Sequence, residues 1–221
     1  MSDFSHLYTD SYFEDRFSGK DENREKSYAQ EIDKIKRYLP GGTVLDVGCG
    51  MGNFLIAMGD KWDKYGIEIS EFASKKAAEN GIKIIDYQEK SSFFDLIVLR
   101  GVLQHLDTPL YTLKQLLDML RPGGYLVFLA TPNTNSIYYK CFNTLPMLDP
   151  ERNFLLPSDT MLKQILLNYG LEIEAVHYPY LESPYSNVFR DHLKFIMKCM
   201  GFNYSFPFWK SMMEVYARKE K

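Results

Sequence analysis

The sequence has little of what marks a secreted, zinc-binding or membrane-spanning protein. Its three cysteines, Cys49, Cys141 and Cys199, are odd in number and scattered, and they form no CxxC pair. This argues against a disulfide framework or a zinc site and favours a reducing compartment. No apolar run approaches the ~20 residues that span a bilayer, and residues 1–17 are polar and acidic, unlike a signal peptide. We therefore expect a cytoplasmic protein and disfavour a membrane partner.

Charge of one sign is not concentrated anywhere along the chain. The formal net charge is −3, and no run contains five or more like charges. A surface that neutralises many phosphates needs clustered lysine and arginine. Nucleic acid is therefore disfavoured as a substrate.

The sequence does contain enough apolar material for one globular core. Its 221 residues are 45% hydrophobic, which suits one domain with small additions. Short apolar runs alternate with helical patterns, which predicts a parallel sheet with helices on both faces. Thr108-Pro109 is predicted to open one helix and Arg121-Pro122-Gly123-Gly124 to end it. The predicted strands are residues 44–47, 65–69, 82–85, 94–99, 125–130, 171–177 and 212–217.

A glycine-rich turn follows the first predicted strand. Val44 to Val47 runs into Gly48-Cys49-Gly50-Met51-Gly52, and a helical stretch follows from Asn53 to Met58. Glycines tolerate positive φ and leave the backbone bare, and the helix N-terminus behind them favours a negatively charged group. The pattern therefore indicates either a ligand-binding turn or a tight connection without a ligand.

An acid at the end of the second strand complements this turn. Glu68 lies 22 residues after Asp46, near the ~20-residue spacing at which an acid meets ribose hydroxyls. A carboxylate can accept hydrogen bonds from both hydroxyls of one ribose. The alternative is an acid that a helix N-terminus satisfies. The turn and the acid together point to a ligand that contains adenosine.

The glycine spacing favours S-adenosylmethionine over NAD. A dinucleotide fingerprint reads G-x-G-x-x-G and places a pyrophosphate on the helix end. Here the spacing is G-x-G-x-G and residue 53 is Asn. Asp46 also directs a negative charge into the site, which suits the ammonium group of a methionyl moiety better than a pyrophosphate.

Four motifs in order resemble those of class I S-adenosylmethionine-dependent methyltransferases. They are VLDVGCGMGNF, YGIEIS, FDLIVLRGVLQHLDTP and LRPGGYLVFLATPN, and the resemblance covers most of the chain. The sequence is similar to the branch of ubiquinone-biosynthesis O-methyltransferases and small-molecule or sugar methyltransferases. The resemblance implies a Rossmann-like, mostly parallel sheet of seven strands, its last strand antiparallel, with small insertions that cover the substrate.

The resemblance also implies which residues hold the cofactor. Asp46 and the backbone of the glycine turn would hold the methionyl end, Glu68 the ribose and Ile69 the adenine. Asp86 and Tyr87 match the pair that reads adenine, and Arg100 would lie near the cofactor or pair with an acid. The full predicted set is Tyr12, Asp46, Gly48, Cys49, Gly50, Gly52, Glu68, Ile69, Asp86, Tyr87 and Arg100.

The strand-four motif departs from that of the ubiquinone relatives. Theirs reads E-V-L-E-H, with acids tied to a divalent metal, whereas Gly101-Val102-Leu103-Gln104-His105 stands here. One histidine with a glutamine is a poor site for a hard cation that prefers oxygen ligands. We therefore expect no metal and disfavour a catechol-type substrate.

His105 is the candidate catalytic residue. It follows the fourth strand and could take a proton from a substrate hydroxyl, or it could cap the following turn. An amine acceptor would need no strong base, so both interpretations of His105 stay open.

The substrate is expected to contact segments outside the core. These are an N-terminal arm, residues 1–27, and two insertions in the domain of residues 28–221, at about 133–157 and 178–209. The later insertion contains VFRDHLKFIMKCMGF and could cover the active site, pair two subunits or contact a membrane surface. We predict a methyltransferase, forming S-adenosylhomocysteine, that acts on a small-molecule hydroxyl or amine; the alternative is a catalytically silent binding protein.

Overall fold

The computed structural model describes Thr9, Phe13 and residues 21–146, 148–149 and 151–220, and it is built on a seven-stranded sheet. The strands are β1 (Gly42–Val47), β2 (Trp62–Ile67), β3 (Lys83–Ile84), β4 (Phe94–Arg100), β5 (Leu120–Pro132), β6 (Leu171–His177) and β7 (Met212–Lys219). Their order across the sheet is β3-β2-β1-β4-β5-β7-β6. β7 runs antiparallel to β5 and β6, and the other pairs are parallel. This confirms the predicted fold class.

Helices connect these strands. They are α1 (Glu22–Tyr38), α2 (Asn53–Ala57), α3 (Glu71–Glu79), α4 (Pro109–Met119), α5 (Ile137–Phe142), α6 (Asp159–Asn168) and α7 (Val188–Cys199), with a 3-10 helix at Leu103–His105. No helix in the described part of the chain is both long and apolar enough to span a membrane.

The chain reverses its direction across the sheet between β1 and β4. It passes from β1 outward to β3, and β4 then returns to the other side of β1. Ligands of open α/β sheets bind at such a reversal, beyond the carboxyl ends of the strands. The glycine turn, which follows β1, lies at this point.

Side chains alternate between two buried layers. Leu45 and Val47 contribute to one cluster, whereas Val44 and Val98 pack in the other with Tyr28 and other residues of α1. Because side chains two residues apart share a face of a strand, Asp46 and Arg100 project toward the layer that α1 covers. A third, smaller cluster surrounds Tyr138 and joins α5 to α7.

Besides shifts of a few residues at strand ends, the structure differs from the sequence prediction in three places. β5 already begins at Leu120, so the Arg121–Gly124 turn lies inside an irregular strand whose pairing with β4 shifts between Phe94 and Leu96. α1 begins at Glu22, within the predicted arm, because the Asp21 carboxylate accepts from the backbone N–H groups of Asn23 and Arg24. α5 forms in a segment predicted as loop, where Ser136 caps it.

Candidate cofactor site

The glycine turn has the backbone that the sequence predicts for it. Gly48, Gly50 and Gly52 have φ values of +70°, +54° and +83°. A Cβ added to Gly48 would lie 2.7 Å from Val102 Cγ2, and one added to Gly52 would lie 2.8 Å from Ile82 Cγ1. Conformation and close packing both require glycine here, and the turn therefore presents bare backbone beyond β1.

Asp46 is a buried acid with an unmatched oxygen. Its side chain is 3% exposed, and Oδ1 has no hydrogen-bond partner among the described residues. Burial raises the pKa of Asp46 to about 8; the positive charge of Arg100 opposes this rise, and the negative charges of Glu68 and Glu31 add to it. An unpaired buried carboxylate is unfavourable, so the site is suited to a cationic ligand.

Glu68 directly follows β2, and its side chain reaches the glycine turn. Its Oε2 accepts from the Gly50 N–H at 2.8 Å, and its Oε1 accepts from the Ser70 N–H at 2.9 Å. Burial raises the pKa of Glu68, while the backbone donors of Ser70, Gly50 and Ile69 oppose that rise. A carboxylate offers about four acceptor positions, so each oxygen keeps capacity for a hydroxyl donor.

The predicted adenine-binding residues lie on the same side as Glu68. Ile69 follows it with 55% of its side chain exposed, as an apolar surface next to the acid. Tyr87 packs against the core, and burial, with the negative charges of Glu68 and Asp107, raises its pKa to about 12. Asp86 is exposed, and its backbone N–H donates to Glu89 at 2.8 Å.

Arg100 pairs with an acid that the sequence prediction missed. Its Nε donates to Glu31 Oε2 at 2.6 Å, and one terminal nitrogen donates to Oε1 at 3.3 Å. The guanidinium also lies 4.6 Å from the centre of the Tyr28 ring. Glu31 and Tyr28 are on α1, so this ion pair ties α1 to the end of β4 near Asp46. No local signal in the sequence identifies Glu31 as the partner of Arg100.

Two further side chains close around the turn. The buried thiol of Cys49 fills the space above Gly66, where an added Cβ would lie 2.5 Å from Sγ. Burial raises the pKa of Cys49 and keeps the thiol neutral. Phe13 is 4% exposed, and its ring lies 3.6 Å from the position of a Cβ added to Gly50. Tyr12 lies outside the described residues.

His105 is held at both ring nitrogens. Nδ1 lies 2.8 Å from the carbonyl oxygen of Arg152, and Nε2 lies 3.2 Å from the side-chain nitrogen of Gln104. A carbonyl can only accept, so Nδ1 carries the proton and the Nε2 lone pair accepts from Gln104. The Gln104 amide also donates to the carbonyl oxygen of Gly101 at 3.0 Å, which fixes its orientation.

The 3-10 helix at Leu103–His105, which contains Gln104 and His105, also anchors the first insertion. The backbone carbonyl oxygen of Gln104 accepts from the backbone N–H groups of Phe154 and Leu155 at 2.9 and 3.2 Å. The side-chain amide of Asn153 is buried next to this contact, and neither its nitrogen nor its oxygen is hydrogen-bonded to a described residue. The insertion thus lies directly over the strand-four motif.

A family model and similar proteins show the family of this chain. The model of a methyltransferase domain matches residues 21–176. The chain is 32% identical over 123 residues to an uncharacterised protein of Methanocaldococcus jannaschii, covering 53% of this chain and 58% of that one. It is 31% identical over 168 residues to the ubiquinone biosynthesis O-methyltransferase of Nitrosospira multiformis, covering 66% and 68%. The chain thus spans only part of the length of these relatives.

A solved structure with the same fold covers nearly the whole chain. It is a methyltransferase of Thermotoga maritima, described as dependent on S-adenosylmethionine and as a possible histamine N-methyltransferase, with a TM-score of 0.63 and 19% identity. The comparison covers 95% of this chain and 99% of that one. From its family match, its fold and its motifs, the chain belongs to the class I S-adenosylmethionine-dependent methyltransferases.

Proposed function

We propose that this protein transfers the methyl group of S-adenosylmethionine to a hydroxyl or amine of a small molecule. The observation that carries the cofactor assignment is the buried Asp46 carboxylate, whose Oδ1 lacks a partner in the described structure. A cation beside it restores the favourable energy of the charged form. The methionyl ammonium is such a cation, whereas a pyrophosphate would oppose ionisation of Asp46 and gain no charge complementarity from it.

The other residues fit the remaining parts of the cofactor. The backbone of the glycine turn lies beside Asp46 and can contact the methionyl end. Glu68 keeps acceptor capacity for two ribose hydroxyls, and the exposed Ile69 offers an apolar surface to the adenine. When bound, S-adenosylmethionine supplies an electrophilic methyl group on a sulfonium. The residues of this chain bind it, orient it and exclude water from it, and such positioning accounts for much of methyl transfer.

The acceptor assignment depends on the cap over the carboxyl edge of the sheet. Both insertions lie there: the segment after β5 is anchored on Gln104, and α7 packs with α5 around Tyr138. A cap of this kind encloses a small acceptor. The whole chain has a net charge of −3, which disfavours a polynucleotide acceptor.

Calorimetry tests the cofactor assignment. We expect binding of S-adenosylmethionine and S-adenosylhomocysteine, and none of NAD. Glu68→Gln should weaken binding by about 2–4 kcal/mol, because hydrogen bonds to charged groups contribute about 1.5–3 kcal/mol each. Glu71→Gln replaces an exposed acid on α3, and this variant should bind the cofactor as the wild type does. Wild-type affinity of Glu68→Gln would remove the ribose assignment.

Turnover separates an enzyme from a silent binding protein. Methyl transfer should be measured on a panel of sugars, amines, phenols and transfer RNA. Turnover on a small molecule is the expected result. Cofactor binding without turnover on any member would favour the silent protein, and turnover on transfer RNA alone would contradict the small-molecule assignment.

A further inference from the structure

Helix α7 presents its most apolar face to solvent. Phe189, Leu193, Ile196 and Met200 are spaced by four, three and four residues, so they form one stripe along the helix. They are exposed by 84%, 50%, 58% and 63%. Surface helices normally turn this stripe toward the core. We call these four residues the α7 stripe.

The opposite face of α7 fixes this orientation. Phe195 stacks on Phe208 with ring centres 4.5 Å apart, and Lys198 donates to the carbonyl oxygen of Tyr204 at 2.9 Å. Asp191 is fully buried and accepts from the Tyr180 hydroxyl at 3.2 Å. With these contacts in place, the helix cannot turn its stripe inward without losing a buried charge and a stacked ring.

Positive charge borders the stripe, and α7 itself carries no exposed acid. Arg190 and Lys194 each follow a stripe residue and lie on its flank, and the Arg190 side chain is 55% exposed. Residues 183–211 contain four lysines and arginines but a single acid, the buried Asp191. The local charge is therefore opposite in sign to that of the whole chain.

We propose that the α7 stripe docks on an anionic lipid surface. An amphipathic helix with a broad apolar face and flanking basic residues lies in the plane of the lipid headgroups, and each lysine or arginine near an anionic leaflet adds to its affinity. A second copy of the chain is a poorer occupant. A two-fold contact pairs the same patch with itself, so it would bring Arg190 and Lys194 of both copies together with no exposed acid between them.

Docking through α7 would turn the cap toward the membrane. α7 and α5 share the cluster around Tyr138, and α5 follows the carboxyl end of β5. The docked protein therefore holds the edge of the sheet that carries Asp46 and Glu68 near the lipid headgroups.

Vesicle flotation with the full chain tests this docking. The wild type should bind vesicles of equal parts phosphatidylcholine and phosphatidylglycerol, more weakly at high salt and much more weakly with phosphatidylcholine alone. Phe189→Glu and Leu193→Glu should each lower the partition coefficient at least about tenfold. Arg190→Gln with Lys194→Gln should lower it on the order of twentyfold. Leu167→Glu is the matched control, a leucine of similar exposure (52%) on α6, and it should float as the wild type does.

Several outcomes would overturn the proposal. They are wild-type protein that floats with neither vesicle, Leu193→Glu that floats as well as Leu167→Glu, or a dimer by analytical ultracentrifugation that Leu193→Glu dissociates. Circular dichroism and S-adenosylmethionine affinity serve as folding controls. Because Phe189 is 84% exposed, its substitution removes almost no internal packing, so Phe189→Glu stays informative if Leu193→Glu does not fold.

Discussion

Asp46 and Arg100 interact electrostatically but form no ion pair with each other. Arg100 forms two hydrogen bonds with Glu31, which leaves Asp46 Oδ1 without a partner among the described residues. The pKa of Asp46 is therefore raised to about 8 by burial even though an arginine is nearby. The free protein carries a mostly neutral Asp46 at pH 7, and a bound cation would favour its charged form.

Cofactor binding should consequently release a proton. Below pH 8 the free carboxyl is protonated, and an ammonium beside it lowers its pKa, so affinity should rise by up to roughly tenfold per pH unit toward pH 8. Above pH 8 the ligand's own amino group, with a pKa of about 8, loses its charge and affinity should fall. Calorimetry at pH 7 in buffers of different ionisation enthalpy measures the released proton.

Two substitutions sharpen this measurement. Asp46→Asn should bind weakly and release no proton from this position. Asp60→Asn replaces an exposed acid that follows α2, and this variant should behave as the wild type does. If the wild type released no proton at pH 7, Asp46 would not hold the ammonium.

At the residue scale, the sequence predicted the placement of those candidate site residues whose position depends on local geometry. Gly48, Gly52 and Glu68 follow from a strand–turn–helix pattern, in which positive φ and the end of the next strand are local properties. The Glu31–Arg100 pair was not predictable in this way, because its members are 69 residues apart. Only the packing of α1 against β4 brings them together.

At the scale of elements, the 3-10 helix joins the strand-four motif to the insertion above it. Gln104 binds the insertion through its carbonyl, and His105 binds the carbonyl of Arg152. These contacts support both interpretations of His105. They anchor a loop, and they also hold the imidazole in the tautomer whose Nε2 lone pair a general base would need.

Kinetics of three variants distinguish a base from an anchor. If the acceptor is a hydroxyl, His105→Ala should keep cofactor affinity within a few-fold and lower kcat at least about a hundredfold, the low end of the contribution of a positioned base. Gln104→Met removes the amide that occupies Nε2 and should retain turnover. Gln115→Met, another buried glutamine, controls for the loss of a buried amide.

Other results would change the assignment of His105. Wild-type turnover by His105→Ala would leave it as an anchor and favour an amine acceptor, whose lone pair needs no base. Equal losses of cofactor affinity and turnover would show a structural role.

Elements with repeating apolar patterns were predicted well, and those defined by tertiary contacts were not. β6 has its predicted bounds of residues 171–177 because its alternating pattern is bounded by Gly170 and a loop. α5 was missed because its six residues are too few to show a period, and the cluster around Tyr138 stabilises it. The outward orientation of the apolar face of α7 could not be predicted from the sequence either. Periodicity shows that a helix has an apolar face but not whether that face points to the core or to solvent.

At the scale of the whole molecule, the parallel sheet could be predicted, whereas the arrangement of its cap could not. The alternation of strands and helices restricts the topology to few alternatives, and the strand ends then place Asp46, Glu68 and the glycine turn together. The cap consists of two segments far apart in sequence, and the aromatic cluster that joins them has no local pattern.

The last prediction is that the folded enzyme needs no divalent metal. Gly101 and Gln104 stand where the E-V-L-E-H motif has acids, and one histidine with an amide is a weak donor set for Mg²⁺. Within the described ranges, no three His, Cys, Asp or Glu side chains are grouped closely enough to hold a metal ion. Dialysis against EDTA should therefore leave both the melting temperature and kcat/KM unchanged. Loss of turnover in EDTA with recovery in magnesium would mean that other oxygen ligands, from the acceptor or from residues outside those ranges, complete a site around His105.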